Sequence, residues 1–526
     1  MAYPAVGERT AETGAEYGRQ TARKSAYHWL TTTNHKEIGI LYIVFSFIAF
    51  VVGGILAMFI RAELSESGPT ILTADRYAEF FSTHGTTMIF LFIIPVFVGL
   101  GNYFVPLLIG AKDMAYPRIN ALGFWLLPPA AALIWFGRAG VGWTGYEPLT
   151  GILYSRDRSV DMWLAGLLIV GTSSILSGLN FLITIAKLRK PGMGFWQMPL
   201  FVWAVMTTSI MVVMATPVLA SGLTMAFLDR NVGTCFFVTT GACAVPNTVI
   251  PSQPLGTPGV PILWQHIFWF YSHPAVYIMV LPAMGAISEV IPKMAHKPIF
   301  GYKSMAVALF GIGFVGFLVW AHHMFTTGLS LTTRVPFMLA TMAVAVPTGV
   351  KIFNWLATLW RGSISFQTPM LYAIGFLSMF TVGGITGVYQ ASIPVDYELR
   401  NSYWVVAHLH YVLFGGSVMG LFAAMYFWFP AMTGRMYNER LGQLHFALTF
   451  IGMNLTFFTM HFIGLSGMLR RTFDYTAELA YWPELAPLNL ISSIGSFILG
   501  VGQLPFFYNM IVSKYKGKPA PADPWA

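Results

Sequence analysis

Apolar runs of membrane-spanning length recur along this chain from residue 38 to residue 513, with no polar, linker-like stretch between them. A helix needs about 20 mostly apolar residues to cross the hydrocarbon core of a bilayer. Only 10% of the residues are charged and 56% are hydrophobic, whereas a soluble domain carries about 25% charged residues. So few charges could not cover a water-exposed surface. The fold class read from this pattern is all-α, a polytopic membrane protein. The spans fall at 37–60, 79–109, 119–138, 161–187, 199–225, 262–290, 304–325, 336–360, 368–391, 403–429, 442–466 and 487–513. Twelve helices place both chain ends on one side of the membrane.

Basic residues decide which side, because cytoplasmic loops carry the excess of Lys and Arg. The two tails and the even-numbered loops hold 19 of the 30, the opposite loops hold 10, and Lys351 lies inside a span. Both termini are therefore expected in the cytoplasm. The organisation expected is a single domain, with tails at 1–36 and 514–526 around the bundle at 37–513. Residues 1–35 have no apolar h-region, so the first run reads as a retained span. Two Cys in 526 residues exclude a disulfide scaffold, an iron–sulfur protein and a thiolate zinc site. Cys235 and Cys243 share the long outer loop 226–261, where they could pair or remain separate thiols. The formal charge of +9 sits in short loops between apolar runs. That is the pattern of membrane topology and not of a nucleic-acid-binding face.

Twelve His remain to be placed. A lone intramembrane His is more often a hydrogen-bonded packing residue than a ligand, which covers His266, His445 and His461. His28, His35 and His296 read as loop or interface residues. The other six converge on one depth. His84 lies about one and a half turns from the outer start of the second span. The sixth and tenth spans also start outside and carry His273, His408 and His410 in their outer halves. The seventh carries His322 and His323 near its outer end. Polar groups buried in a bilayer are functional by default. Imidazole without thiolates or a carboxylate cluster favours haem iron and copper. His408 and His410 point about 200° apart on a helix, which suits two haems flanking it. His84 and His410 would complete a six-coordinate haem, and His408 would hold a second haem with an open position. His273, His322 and His323 would make a three-nitrogen site suited to copper. Tyr277 shares a helix face with His273, where a phenol can supply an electron and a proton.

These residues lie in segments that carry a resemblance. The segments are HKEIGILY at 35–42, HGTTMIF at 84–90, GNYFVPLLIGAKDMAYPRIN at 101–120 and GWTGYEPL at 142–149. They continue with WQHIFWFYSHPAVY at 264–277, HHMF at 322–325, VPTGVKIFNW at 346–355, VVAHLHYV at 405–412 and RR at 470–471. The chain resembles subunit I of the haem–copper oxidases, most closely the cytochrome c oxidases, over essentially its whole length. The resemblance implies that His84 and His410 ligate a low-spin haem and His408 the high-spin, oxygen-binding haem. It implies one copper ion on His273, His322 and His323, with Tyr277 covalently linked to His273. Arg470 and Arg471 would pair with haem propionates, near Trp143 and Asp396. Arg61 matches the Arg that bonds the formyl group of the low-spin haem, which points to A-type haems.

Two proton routes are implied as well. Lys351, with Thr348 one turn earlier, matches a shorter channel leading to Tyr277. Asp113, Asn102, Asn120, Ser173, Ser174 and Asn180 match the polar entrance of a longer one. Three departures stand out. Much of the family has Glu where this chain has Ala275. Tyr271, one turn earlier, and the adjacent Ser272 resemble the branch in which hydroxyls replace that Glu. A His-Asp pair for magnesium reads Arg400-Asn401 here, which puts magnesium binding in doubt. Loop 226–261 is longer than usual and carries the Cys pair.

The implied function is the catalytic subunit of a terminal oxidase in a bacterial inner membrane. It would reduce O2 to water with electrons from cytochrome c, coupled to proton translocation. The chain has no Cys–His–Met cluster and no CxxCH. The implied partners are therefore a subunit II carrying a dinuclear copper centre, a subunit III, and membrane lipid. A quinol donor and a nitric oxide reductase are the alternatives within the superfamily. The iron of such a reductase would want a carboxylate near the three His, and Ala275 removes it. A secondary transporter would use broken helices and an ion site near the midplane. An electron-transfer cytochrome b would lack the His322–His323 pair.

Overall fold

Backbone in hydrocarbon has no water to bond, so each apolar run satisfies its own N–H and C=O groups as a helix. The computed structural model describes residues 25–237 and 259–525. Among the described residues the chain forms helices and turns, and no strand beyond two isolated bridging pairs. Eleven helices among them are long and apolar enough to cross a membrane. They are α1 (His35–Glu63), α2 (Ala74–Ile109), α3 (Pro117–Gly137), α4 (Ser159–Lys187), α5 (Leu200–Asn231) and α6 (Pro261–Met294). After a shorter helix, α7 (Tyr302–Gly316), come α8 (Leu331–Leu359), α9 (Thr368–Ala391), α10 (Tyr403–Thr433), α11 (Glu439–Leu465) and α12 (Leu485–Lys516).

One expected span differs in kind. The run 304–325 is helical only to Gly316, and His322 and His323 lie beyond a turn, in a 3-10 segment Trp320–Met324. Apolarity cannot locate that break, because the partners that hold it come from other elements. The Trp320 indole N–H donates to the His266 ring at 3.3 Å, and the Arg400 guanidinium donates to the carbonyl of His322. The fifth span runs past its expected end at 225, to Asn231. Its buried Arg230 anchors the extension, bonding Asp161 at 2.8 Å and the carbonyls of Thr150, Ser155 and Asp157.

Helix α5 lies along both α4 and α6, α1 along α2, and α11 along α12. The most enclosed spans are α2 and α6, which carry His84, His273 and Tyr277, whereas α8 is the most exposed. Within the hydrocarbon core, close backbone approach is a main source of helix association. The α1–α2 pair shows it: a Cβ on Gly99 would lie 2.9 Å from the Gly39 carbonyl oxygen. Three spans pass through a π-helical stretch, at Thr87–Ile93, Leu413–Val418 and Asn454–Phe458. The first begins three residues after His84 and the second three residues after His410. Such insertions are frequent at functional sites because they re-aim the side chains around them.

Gly99→Val should force α1 from α2 at an overpacking cost of about 1–3 kcal/mol. The measurement is the melting temperature of the purified complex in detergent. Gly54→Ala is the control, since a Cβ there meets nothing within 4 Å, and it should leave the melting temperature unchanged.

Candidate metal centre

A neutral imidazole has one nitrogen that donates and one that accepts, so the partner of one nitrogen decides which way the other can serve as a ligand. His273 on α6 meets His322 and His323 from the 3-10 turn, with ligand atoms all within 4.8 Å of one another. The Nδ1 of His273 lies 3.1 Å from Nε2 of His323. His322 is held from behind through Nδ1, 3.0 Å from the Thr341 hydroxyl on α8. His323 lies flat on Trp269, with ring centres 3.7 Å apart, and the Trp269 indole donates to the Tyr146 hydroxyl at 2.7 Å. Three rings oriented this way can hold one metal ion. The Nε2 of His273 is buried and finds no partner among the described residues. Tyr277 stands beside that ring at 4.8 Å. Its own ring rests on α7, where a Cβ on Gly316 would come within 2.7 Å of Tyr277 Cδ2, so only glycine fits.

Three further imidazoles are anchored at Nδ1 by backbone carbonyls. His84 bonds the Gly53 carbonyl and His410 the Val406 carbonyl, each at 2.8 Å, and His408 bonds the Gly383 carbonyl at 3.0 Å. Each therefore leaves Nε2 bare for a metal. His410 stacks on Phe457 of α11 at 4.0 Å, while His408 faces α9 through Gly383 and the Thr386 hydroxyl at 3.1 Å. The two rings thus leave α10 toward different neighbours. Arg61 spends one terminal nitrogen on Asn489 and Ser493 of α12. Its Nε and other terminal nitrogen are buried without a partner among the described residues, donors that fit an acceptor such as a formyl oxygen. Arg470 and Arg471 make no ion pair with a carboxylate among the described residues. Their hydrogen bonds are long, 3.4 Å to Asn401 and 3.2 Å to Thr144. Burial, with Arg471 alongside, pulls the Arg470 pKa down to about 10. Two crowded guanidiniums of this kind fit a pair of carboxylates from a bound group. Trp143 closes the same region, edge-on to Trp269 at 5.7 Å.

A family profile described as cytochrome c and quinol oxidase polypeptide I matches residues 37–498. The chain belongs to this family. It is 48% identical over 505 residues to cytochrome c oxidase subunit 1 of Thermostichus vulcanus, covering 95% of this chain and 87% of that one. It is 44% identical over 512 residues to the Bacillus subtilis subunit, covering 96% and 79%. A cryo-EM structure of a haem–copper terminal oxidase dimer shares the fold, with a TM-score of 0.74 at 20% identity, over 93% of this chain and 85% of that one. Membership makes this chain polypeptide I of a multi-subunit terminal oxidase, a membrane-embedded oxidoreductase of the respiratory chain that works with haem and copper.

The other residues to which the resemblance points lie as follows. Lys351 is fully buried on α8, its ammonium unpartnered among the described residues and 4.8 Å above the Trp355 ring. Trp355 in turn donates to Ser288 of α6 at 3.1 Å. The Thr348 hydroxyl turns back to the Val344 carbonyl at 2.9 Å. Tyr271 stacks on Phe90, and the Ser272 hydroxyl is buried with no partner among the described residues. Asp113 lies in the α2–α3 turn, accepting the Met114 N–H at 2.7 Å. Asn102 leaves its side-chain oxygen, and Asn120 its whole amide, unpartnered and buried among the described residues. On α4, Ser173 and Ser174 bond the Gly123 and Val170 carbonyls, and Asn180 pairs with the Tyr116 backbone.

Several polar neighbours add to these residues. Ser177 and Tyr42 bond each other at 3.2 Å. Ser173, Ser177, Asn180 and Thr184 form a buried stripe on α4 that helical periodicity makes legible. Thr341 and Ser288 carry no such signal. His35 is buried rather than a loop residue, 2.7 Å from the Asn102 carbonyl. His445 is a packing residue held by Tyr426 and Gln503. Cys235 is disulfide-bonded, and Cys243 lies outside the described residues.

The magnesium pair of the resemblance does not fit. Arg400 Nε and a terminal nitrogen both take Asp396 Oδ2, at 2.8 and 2.6 Å. The Asn401 carbonyl accepts from the Arg470 N–H at 2.7 Å. Guanidiniums rather than free oxygens surround that position, and a divalent cation would be repelled. Asp396 is therefore an ion-pair partner of Arg400.

Burial raises the Asp396 pKa from 3.8 to about 6, against the opposing pull of Arg400. The group is protonated below that value and ionised above it. Because the folded pKa lies above the unfolded one, its stabilising share is complete below pH 3.8 and is lost as pH rises through about 6. Infrared difference titration should show a protonated carboxyl band disappearing near pH 6, and Asp396→Asn should remove that band.

Proposed function

We propose that this chain is the catalytic subunit of a proton-translocating cytochrome c oxidase of a bacterial plasma membrane, reducing oxygen to water. The observation that carries the reading is the His273–His322–His323 triad, with its ligand atoms within 4.8 Å of one another. The triad would hold one copper ion. His84 and His410 would hold a low-spin haem through their bare Nε2 atoms, and His408 a high-spin haem. The unpartnered Arg61 donors support A-type haems, because a formyl oxygen would satisfy them. Bound haem and copper supply the electrons and the open metal position that oxygen chemistry needs.

The chain's own residues handle binding and protons. Arg470 and Arg471 clamp propionates, with Trp143 packed beside them. Tyr277 offers its phenol proton next to His273, and the orphaned His273 Nε2 is the atom for the covalent link to its ring. Lys351 holds a proton in an otherwise apolar interior and, with Thr348, passes it toward Tyr277. Asp113, Asn102 and Asn120 admit protons to a second route over Ser173, Ser174 and Asn180. Tyr271 and Ser272 complete that route where Ala275 leaves no carboxylate. Counting α7 as a twelfth span, together with the excess of basic residues in the tails, supports both termini in the cytoplasm. Protons are then drawn from inside. The names of the relatives support cytochrome c as donor, reached through a subunit II carrying a dinuclear copper, with subunit III alongside.

An oxygen electrode with reduced cytochrome c should record four cytochromes oxidised per oxygen consumed. Oxidation of quinol alone would overturn the donor. Lys351→Met should lower turnover by about 100-fold or more with the metal content intact, and unchanged turnover would reject the shorter route. Oxygen pulses to vesicles should acidify the outside, and Tyr271→Phe with Ser272→Ala should abolish that acidification while oxygen uptake continues.

A further inference from the structure

The backbone under the copper triad is unusual. His322 and His323 sit in a five-residue 3-10 segment, and so short a helix leaves carbonyls at its end without internal partners. The carbonyl of His322 is taken by the guanidinium of Arg400. Arg400 closes the helical turn Ile393–Leu399 just outside α9, and that turn presents Asp396 one helical turn earlier. Both side chains are nearly buried, with exposures of 13% for Arg400 and 3% for Asp396. Asp396 fixes the guanidinium at 2.6 and 2.8 Å, and the Phe325 ring lies 6.0 Å below it. A second contact locks the same two segments together: Arg334 donates to the Phe325 carbonyl at 3.4 Å and covers Tyr397 at 5.5 Å.

We propose that Arg400 is a positioning residue for the metal triad. It is a tethered cation that holds the His322 peptide in place and, through Asp396, fastens the triad to the outer cap between α9 and α10. The proposal rests on the reading of the triad as a copper site. Thr341 already orients the His322 ring from one side, so loss of Arg400 frees the backbone while leaving the ring hydrogen bond. The result is a triad whose three nitrogens no longer share one geometry. Outer-shell partners of this kind typically govern metal retention by 10–100-fold.

The test uses the intact complex, wild type and Arg400→Gln, with two readouts. The first is the copper per two haems, in excess of the two held by subunit II, after dialysis against a copper chelator. The second is the infrared stretch of carbon monoxide photolysed from haem onto copper. Arg400→Gln should lose copper roughly 10-fold more readily and show a shifted or split copper–carbonyl band. Arg400→Lys keeps the charge without the fork and should fall between. If Arg400→Gln does not assemble, Asp396→Asn weakens the same anchor without removing the cation and should shift the band in the same direction. Wild-type copper retention and an unshifted band in the assembled variants would overturn the proposal. A wild-type complex with no copper–carbonyl band would instead overturn the copper reading itself.

Discussion

Most of the imidazoles proposed to bind metal are aimed by a contact elsewhere on the ring. For His84, His408 and His410 that partner is a backbone carbonyl, from Gly53, Gly383 and Val406. For His322 it is the Thr341 hydroxyl, and His323 is pinned by stacking on Trp269. A helix in hydrocarbon keeps its carbonyls for its own ladder, so a carbonyl that also accepts from a side chain is a specific local arrangement. The helices are thus more than a scaffold here. Their backbones select the tautomer, and the tautomer leaves the ligand atom free.

His273 breaks the pattern in an informative way. Its Nδ1 faces the triad, and its Nε2 is buried with no partner among the described residues. Leaving a buried polar atom unsatisfied costs about 1–3 kcal/mol. The same condition recurs at Arg61, Asn120, Ser272 and Lys351. These groups coincide with the places where the family reading requires a formyl oxygen, a cross-linked phenol or a travelling proton. The same condition is also found at groups such as Trp125, Thr216 and Trp404, to which the family reading gives no such role.

How much of this was legible in the sequence depends on the range of the forces involved. Span positions were, because crossing hydrocarbon is decided residue by residue. So was the meeting of His273 with His322 and His323, because depth along a helix follows from counting. The end of α7 at Gly316 was not, since His322 and His323 are turned by Arg400 and Trp320 acting across the fold. Neither were Thr341, Tyr42 and Ser288, each an ordinary hydroxyl in an apolar helix until a neighbour approaches. The substitution at Arg400-Asn401 was visible as an oddity, but only the three-dimensional arrangement showed a guanidinium bonded to both Asp396 and His322.

The central claim is that three imidazoles on one outer-half turn and one enclosed helix hold a single copper ion. Copper-edge X-ray absorption on the purified complex tests it most directly. The account predicts, beyond the two coppers of subunit II, one further copper per two haems, coordinated by three nitrogen ligands, with that contribution alone lost in His323→Asn. Sulfur-bound copper alone, or an unaltered copper spectrum in His323→Asn, would contradict it.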